Sequence, residues 1–165
     1  MVKQKPELLA PVGNVESFYA ALNAGADAVF MGLQEFNARG RASNFTRPLL
    51  QLAVQKAREK NVKVYVTLNV LIKNREIDQL IDVLAFLDAV KVNGVIIQDW
   101  GTYYLAKKYF PRLVLHASTQ MGNHNSAGVN YGASKGIVRT VLARELTMPE
   151  LEAIARQSKA ELEVF

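Results

Sequence analysis

Short, nearly continuous apolar runs recur along the chain at residues 7–10, 28–32, 63–68, 94–98, 114–117, 140–143 and 161–165. Continuous rather than alternating runs suit strands covered on both faces, as in a parallel sheet. The stretches between most of them carry apolar residues at helical spacing. Ile77, Leu80, Ile81, Leu84 and Leu87 share one face, with Asp78, Gln79 and Asp82 elsewhere; Leu50, Val54 and Ala57 oppose Gln55, Arg58 and Lys60. Thr147-Met148-Pro149-Glu150 has the Thr-x-x-Glu spacing of a capping box with proline in the first turn. Gly25, Asn61 and Gly136 stand where helices should end, in the left-handed conformation these residue types tolerate.

Strand–helix–strand alternation allows an open doubly wound sheet or a closed barrel. The turn after the first run, Pro11-Val12-Gly13-Asn14, lacks the Gly-x-Gly-x-x-Gly of a dinucleotide-binding sheet. Seven strands in regular succession predict a (β/α)8 TIM-type barrel, incomplete, with about seven strands and six helices. Such barrels usually take about 250 residues, so 165 residues read as one barrel domain over 1–165 without its last portion. An open barrel would leave edge strands that invite oligomerisation.

In this architecture chemistry gathers at the carboxyl ends of the strands, and polar residues concentrate there. Asn37, Arg39, Arg41 and Asn44 follow the second run, Asn69 the third, Gln98 and Asp99 the fourth, His116, Ser118 and Gln120 the fifth, and Arg144 and Glu145 the sixth. Asn37, Arg39, Arg41, Asn44, Asn69, Gln98, Gln120, Arg144 and Glu145 are therefore expected to bind substrate. Arginine forks suit carboxylate and phosphate oxygens. Lys73 and Arg75 read instead as a solvated rim. His116, Ser118 and Asp99 form a candidate catalytic group of hydrolytic type, although no Gly-x-Ser-x-Gly elbow surrounds Ser118. His116 and His124 without a carboxylate pair make a weak metal site, so no metal is expected among these residues.

Composition narrows the chemistry further. Cysteine is absent, which excludes disulfides, a thiolate nucleophile and cysteine-held zinc or iron–sulfur groups within these residues. The formal net charge of +5 is compatible with an anionic partner such as RNA or a small anionic metabolite. No run approaches the ~20 apolar residues of a membrane span, and the amino terminus has no apolar run behind its charges, so the expected location is the cytoplasm.

Five blocks in order carry a family resemblance: Glu7-Leu8-Leu9-Ala10-Pro11-Val12-Gly13, Gly25-Ala26-Asp27-Ala28-Val29-Phe30-Met31-Gly32, Tyr65-Val66-Thr67-Leu68-Asn69, His116-Ala117-Ser118-Thr119-Gln120 and Val141-Leu142-Ala143-Arg144-Glu145-Leu146. Together they resemble the collagenase-like peptidases of family U-32. The resemblance implies a bacterial or archaeal barrel protein. Some members carry the peptidase label; others act in oxygen-independent hydroxylation of pyrimidines in tRNA or rRNA, or of the ubiquinone ring. It further implies, for hydroxylating members, an iron–sulfur cluster held by cysteines beyond the part matching 161–165, and prephenate as the oxygen source for RNA. Three readings are open: an RNA hydroxylase, a peptidase acting on peptide substrates, and a non-catalytic piece needing a further part.

Overall fold

Parallel strands joined by helices must bury two apolar layers, one inside the curl and one beneath the helices, and the chain does both. The computed structural model describes residues 5–40 and 44–165. Seven strands form one sheet in chain order: β1 (Leu9–Pro11), β2 (Ala28–Gly32), β3 (Lys63–Leu68), β4 (Gly94–Ile97), β5 (Leu115–Ala117), β6 (Ile137–Val141) and β7 (Glu161–Glu163). Every neighbouring pair is parallel. The crossovers are α1 (Val15–Asn23), α2 (Arg47–Glu59), α3 (Ile77–Val90), α4 (Trp100–Tyr109), α5 (Ser126–Ser134) and α6 (Met148–Gln157). The result is a curled, TIM-like partial barrel, as the alternation predicts.

The outer layer packs Val29, Met31, Val64, Val66, Leu68, Val95, Ile97 and Leu115 against Leu50, Val54, Ala57, Leu80, Leu84 and Leu87 of α2 and α3. Each fully buried Leu or Val in it contributes about 1.5–3 kcal/mol relative to exposure. The alternate positions face inward, where Ala28, Tyr65 and Ile96 meet Leu9 and Phe30. Gly25, Asn61 and Gly136 have φ of +84°, +57° and +81°, the left-handed stops expected of them. The Thr147–Glu150 capping box forms, with the Thr147 amide and hydroxyl both donating to the Glu150 carboxylate at 2.7 Å.

β4, β5 and β7 end or begin one or two residues inside their expected runs, and two further strands are displaced. β1 begins at Leu9 rather than residue 7, leaving Glu7 ahead of the strand with its side chain turned to other partners. β6 is Ile137–Val141 rather than 140–143. Gly136 ends α5 early enough for the strand to start at Ile137, and Arg139 then lies within it. Leu115 pairs with Ile137 but His116 pairs with Arg139. Val138 is thus an extra residue on β6, and this bulge turns Arg139 into the barrel.

Candidate functional site at the barrel mouth

A cavity of about 520 Å³ opens at the carboxyl ends of the strands. Its walls come from inward positions on the sheet, Phe30, Gly32, Thr67, Ile96, Val141 and Glu163, and from the loops that follow. Of the expected residues, Asn37, Arg39, Asn44, Asn69, Ser118, Gln120 and Arg144 line it.

The loop after β2 is pinned at its two ends by Leu33 and Phe45, both part of the core, and by hydrogen bonds between them. Leu33 bridges Phe45 in parallel fashion, the Phe45 amide donates to the Gly32 carbonyl at 3.0 Å, and the Phe45 ring is buried. Inside that frame Asn37 Nδ2 donates to Asn44 Oδ1 (2.6 Å) and Asn44 Nδ2 to the Arg39 carbonyl (3.0 Å). Asn37 Oδ1 accepts from the Arg39 amide at 3.1 Å. Asn69 Oδ1 accepts from the Ala38 amide at 3.2 Å, tying the end of β3 to the same loop. Gly32 makes room for Asn37: a Cβ would lie 1.8 Å from Asn37 Nδ2 and would displace that side chain. Among the described residues, no hydrogen bond uses the Asn69 amide N–H groups or the Gln120 side chain. Arg144 is exposed at the rim with its guanidinium 5.3 Å from the Phe165 ring centroid. Arg41 lies outside the described residues.

Other expected residues stand elsewhere. Gln98 is half-buried and does not line the cavity. Glu145 is exposed and sits 3.6 Å from His124 Nε2. Asp99 caps α4, its Oδ1 accepting from the Thr102 amide at 2.8 Å and facing the Thr102 hydroxyl at 3.3 Å. Ser118 caps a 3-10 turn (Thr119–Met121), its hydroxyl oxygen accepting from the Gln120 amide at 3.2 Å. His116 lies two residues deeper on the same inward face, 2% exposed, and its Nδ1 has no hydrogen-bond partner. Among the described residues no hydrogen bond joins Asp99, His116 and Ser118. Burial, with Arg139 nearby, pushes the His116 imidazole down to about 4, so it is neutral at pH 7.

Below the cavity is a charged floor that the pattern of strand ends did not reveal. Arg139 Nη1 donates to Glu7 Oε1 at 2.7 Å, while its Nε and Nη2 donate to Glu161 Oε2 at 2.9 and 2.8 Å. Tyr65 donates to Glu7 Oε1 at 2.9 Å, and Lys63 to Glu7 Oε2 at 2.6 Å. Arg139 also lies over the Tyr65 ring at 5.1 Å, and His116 meets that ring edge-on at 4.8 Å. Burial would raise the Glu7 carboxyl, but donation from Lys63, Arg139 and Tyr65 outweighs it and holds Glu7 at about 2. Burial pushes Glu163 the other way, above the usual carboxylate range despite Arg139 at 3.6 Å. Both Glu163 oxygens are buried without a hydrogen bond, although Glu163 is part of the cavity wall. The signal was available as charges at alternate positions, Glu7, Lys63, Arg139, Glu161 and Glu163, inside or beside apolar runs.

The residues present do not fit an iron–sulfur cluster. Cysteine is absent from the chain, and among the described residues no group of three or more His, Asp or Glu is arranged to hold a metal. Nor is any described helix long and apolar enough to cross a membrane.

The chain is 36% identical over 165 residues to tRNA hydroxylation protein P1 of Bacillus subtilis (strain 168), covering all of this chain and 39% of that protein. It is 33% identical over 162 residues to tRNA hydroxylation protein P of Escherichia coli (strain K12), covering 98% and 36% respectively. A protein named Collagenase from Porphyromonas gingivalis (strain ATCC BAA-308 / W83) is 34% identical over 149 residues, with 90% and 35% covered. The chain thus spans about two-fifths of the length of these curated relatives. A solved U32 peptidase superposes with a TM-score of 0.78 at 12% identity, over 99% of this chain and 71% of that one, which bears on the fold. The profile of Peptidase family U32 matches residues 13–165, and the chain belongs to that family.

Proposed function

We propose that this chain is the barrel portion of a protein that hydroxylates pyrimidines in tRNA, with the target base entering the mouth cavity. The observation that carries the reading is the lining of that cavity. The Asn69 N–H groups and the Gln120 side chain are turned to no other hydrogen bond among the described residues. Asn37 and Asn44 brace the loop beside them, and Arg39 and Arg144 add cationic side chains, while among the described residues no hydrogen-bonded nucleophile–base pair is assembled there. Amides match the edges of a base, and chemistry on a base requires taking it out of its stack. About 520 Å³ is within the range of cavities that enclose small ligands. The arginines suit a phosphate or the carboxylates of an anionic oxygen donor such as prephenate. Several relatives bear the name tRNA hydroxylation protein, which supports the same reading.

The reading includes a cytoplasmic site of action and an iron–sulfur group liganded from outside these residues. It also includes β1 and β7 as the edges on which a further strand or chain completes the barrel. The test is mass spectrometry of nucleosides in tRNA from a strain lacking the gene. Hydroxylated pyrimidine should disappear, return with the wild-type gene, and fall at least tenfold with Asn69→Ala. Unchanged hydroxylated-nucleoside content in the deletion strain overturns the proposal; gelatin cleavage lost on Ser118→Ala would favour the peptidase named among the relatives instead.

A further inference from the structure

Between Trp100 and Arg144 the sequence contains no aspartate or glutamate, yet it holds Lys107, Lys108, Arg112, Lys135, Arg139 and Arg144. It also holds the only tryptophan of the chain and four of its six tyrosines. This stretch includes α4 and α5, adjacent helices on the outer wall. The other four helices all carry acids: Glu16 in α1, Glu59 in α2, Asp78, Asp82 and Asp88 in α3, and Glu150 and Glu152 in α6. α2 and α6 mix the two signs and α1 and α3 carry acids alone. Among the described residues only the α4–α5 wall, with Lys107 and Lys108 in α4 and Lys135 directly after α5, presents cations with no acid in its helices.

Its side chains are laid out on the surface. Trp100, Tyr104 and Lys108 follow one another at intervals of four, so they form a stripe about 12 Å long down α4. Trp100, Tyr104, Tyr109 and Tyr131 are between 48% and 57% exposed. Trp100 meets Tyr103 and Tyr131 edge-on, at 5.3 and 6.0 Å between ring centroids. That contact spans the two helices and holds the rings in place before any ligand arrives. The lysines sit on aromatic faces or backbone rather than on acids. Lys108 lies over Tyr104 and Tyr109 at 5.5 and 5.0 Å, Lys135 over Tyr131 at 5.3 Å, and Lys107 donates to the Gly136 carbonyl at 3.2 Å. Among the described residues none of the three has an ion-pair partner. Arg112 and Arg139 do, with Asp88 and with Glu7 and Glu161, and so add nothing to the free charge.

We propose that the α4–α5 wall is an RNA-docking surface, on which Trp100, Tyr104 and Tyr131 stack unpaired bases while Lys107, Lys108 and Lys135 neutralise the adjoining phosphates. The combination of aromatic platforms with acid-free positive charge is what single-stranded nucleic acid takes. A protein partner is the poorer match, because lysine is depleted at protein interfaces. The position suits the task. α4 starts directly after the carboxyl end of β4, so Trp100 stands at the mouth side of the wall. A strand that delivers one nucleotide to the cavity can lay its flanking nucleotides down this stripe. This assignment rests on the tRNA reading for its ligand class, but its test does not depend on hydroxylation.

Trp100 is the sole tryptophan, so its fluorescence reports on the patch alone. Titrating the full chain with unmodified tRNA transcript should quench that emission saturably, more tightly at low salt. Replacing Lys107, Lys108 and Lys135 together by Gln should weaken binding at least tenfold. It should also lower the slope of log affinity against log salt by about 2, at roughly 0.7–0.9 for each phosphate left without its lysine. The triple Arg replacement should restore both, which separates lost charge from lost folding. Absence of tRNA binding, or binding that leaves Trp100 emission and the Gln variant unaffected, overturns the proposal. So does a dimer seen by light scattering that the Gln variant dissolves, because the face would then belong to a second copy. Hydroxylated-nucleoside content in the deletion strain judges the tRNA reading separately: loss of the nucleoside with an inert α4–α5 wall rejects only the docking surface.

Discussion

His116 shows how one inward position decides a residue's chemistry. Its imidazole is buried among Tyr65, Gly94 and Arg139, with Nδ1 unpartnered. Burial and the nearby guanidinium favour the neutral form, lowering its value from 6.5 to about 4. The unfolded chain therefore binds a proton that the folded chain refuses between those values. The stability this group confers is full above about pH 6.5 and is lost as pH falls toward 4. At about 1.4 kcal/mol per unit, the loss amounts to about 3 kcal/mol. Urea unfolding across that window should show the fall in wild type, and His116→Phe should flatten it. An equal fall in the variant would place the effect elsewhere. Glu7 acts lower on the scale. Its carboxyl is held at about 2, so its contribution is present above about 4.5 and disappears as pH falls through 2. The two acid losses are consecutive rather than coincident, which lets one titration separate them. None of this was legible from the His-x-Ser spacing, because spacing does not say how deep a strand residue lies.

At the scale of elements, a residue that looks catalytic can be spent on the backbone. Asp99 follows β4 at the barrel mouth, where an acid invites a mechanistic role. In the structure its carboxylate closes the first turn of α4 through the Thr102 amide. Asp99→Ala should cost about 1 kcal/mol, whereas asparagine caps about as well as aspartate. Asp99→Asn should therefore keep thermal stability and, on the proposed function, tRNA hydroxylation as well. Retained stability with abolished hydroxylation would show a chemical role beyond capping. The helix boundaries themselves were legible, since Gly25, Asn61 and Gly136 act through their own φ and Thr147 through a residue three positions away. The start of β6 was not. Arg139 has the charge of a loop residue, and only pairing with β5 and the bulge at Val138 carry it into the sheet.

Across the whole molecule, Arg139 is the tie between the first and last strands of the curl. Its side chain, 10% exposed, bridges Glu7 ahead of β1 with Glu161 on β7. Removing Arg139 leaves Glu161, 59% exposed, to water and leaves Glu7 with Lys63 and Tyr65, so the cost falls below the about 3–5 kcal/mol of a fully buried ionic group. Arg139→Met should lower urea-unfolding stability by about 1–3 kcal/mol, and adding Glu7→Gln and Glu161→Gln should recover most of it. Additive losses in the combined variant would show that the three residues act independently.

What the chain's sequence determined by itself was the alternation of strand and helix, the sites where helices stop, and the polar character of the strand ends. These depend on interactions within a few residues, so local spacing expresses them. The tertiary structure alone decided which polar groups meet. Arg139 and Glu7 are 132 positions apart, and Lys63 and Glu7 are 56 apart. The bulge at Val138 chose which face Arg139 would occupy. The same curl placed Asn37, Asn69 and Gln120 around one cavity and left Asp99 at a helix end, because the curling of the sheet, not neighbourhood in the chain, sets those distances.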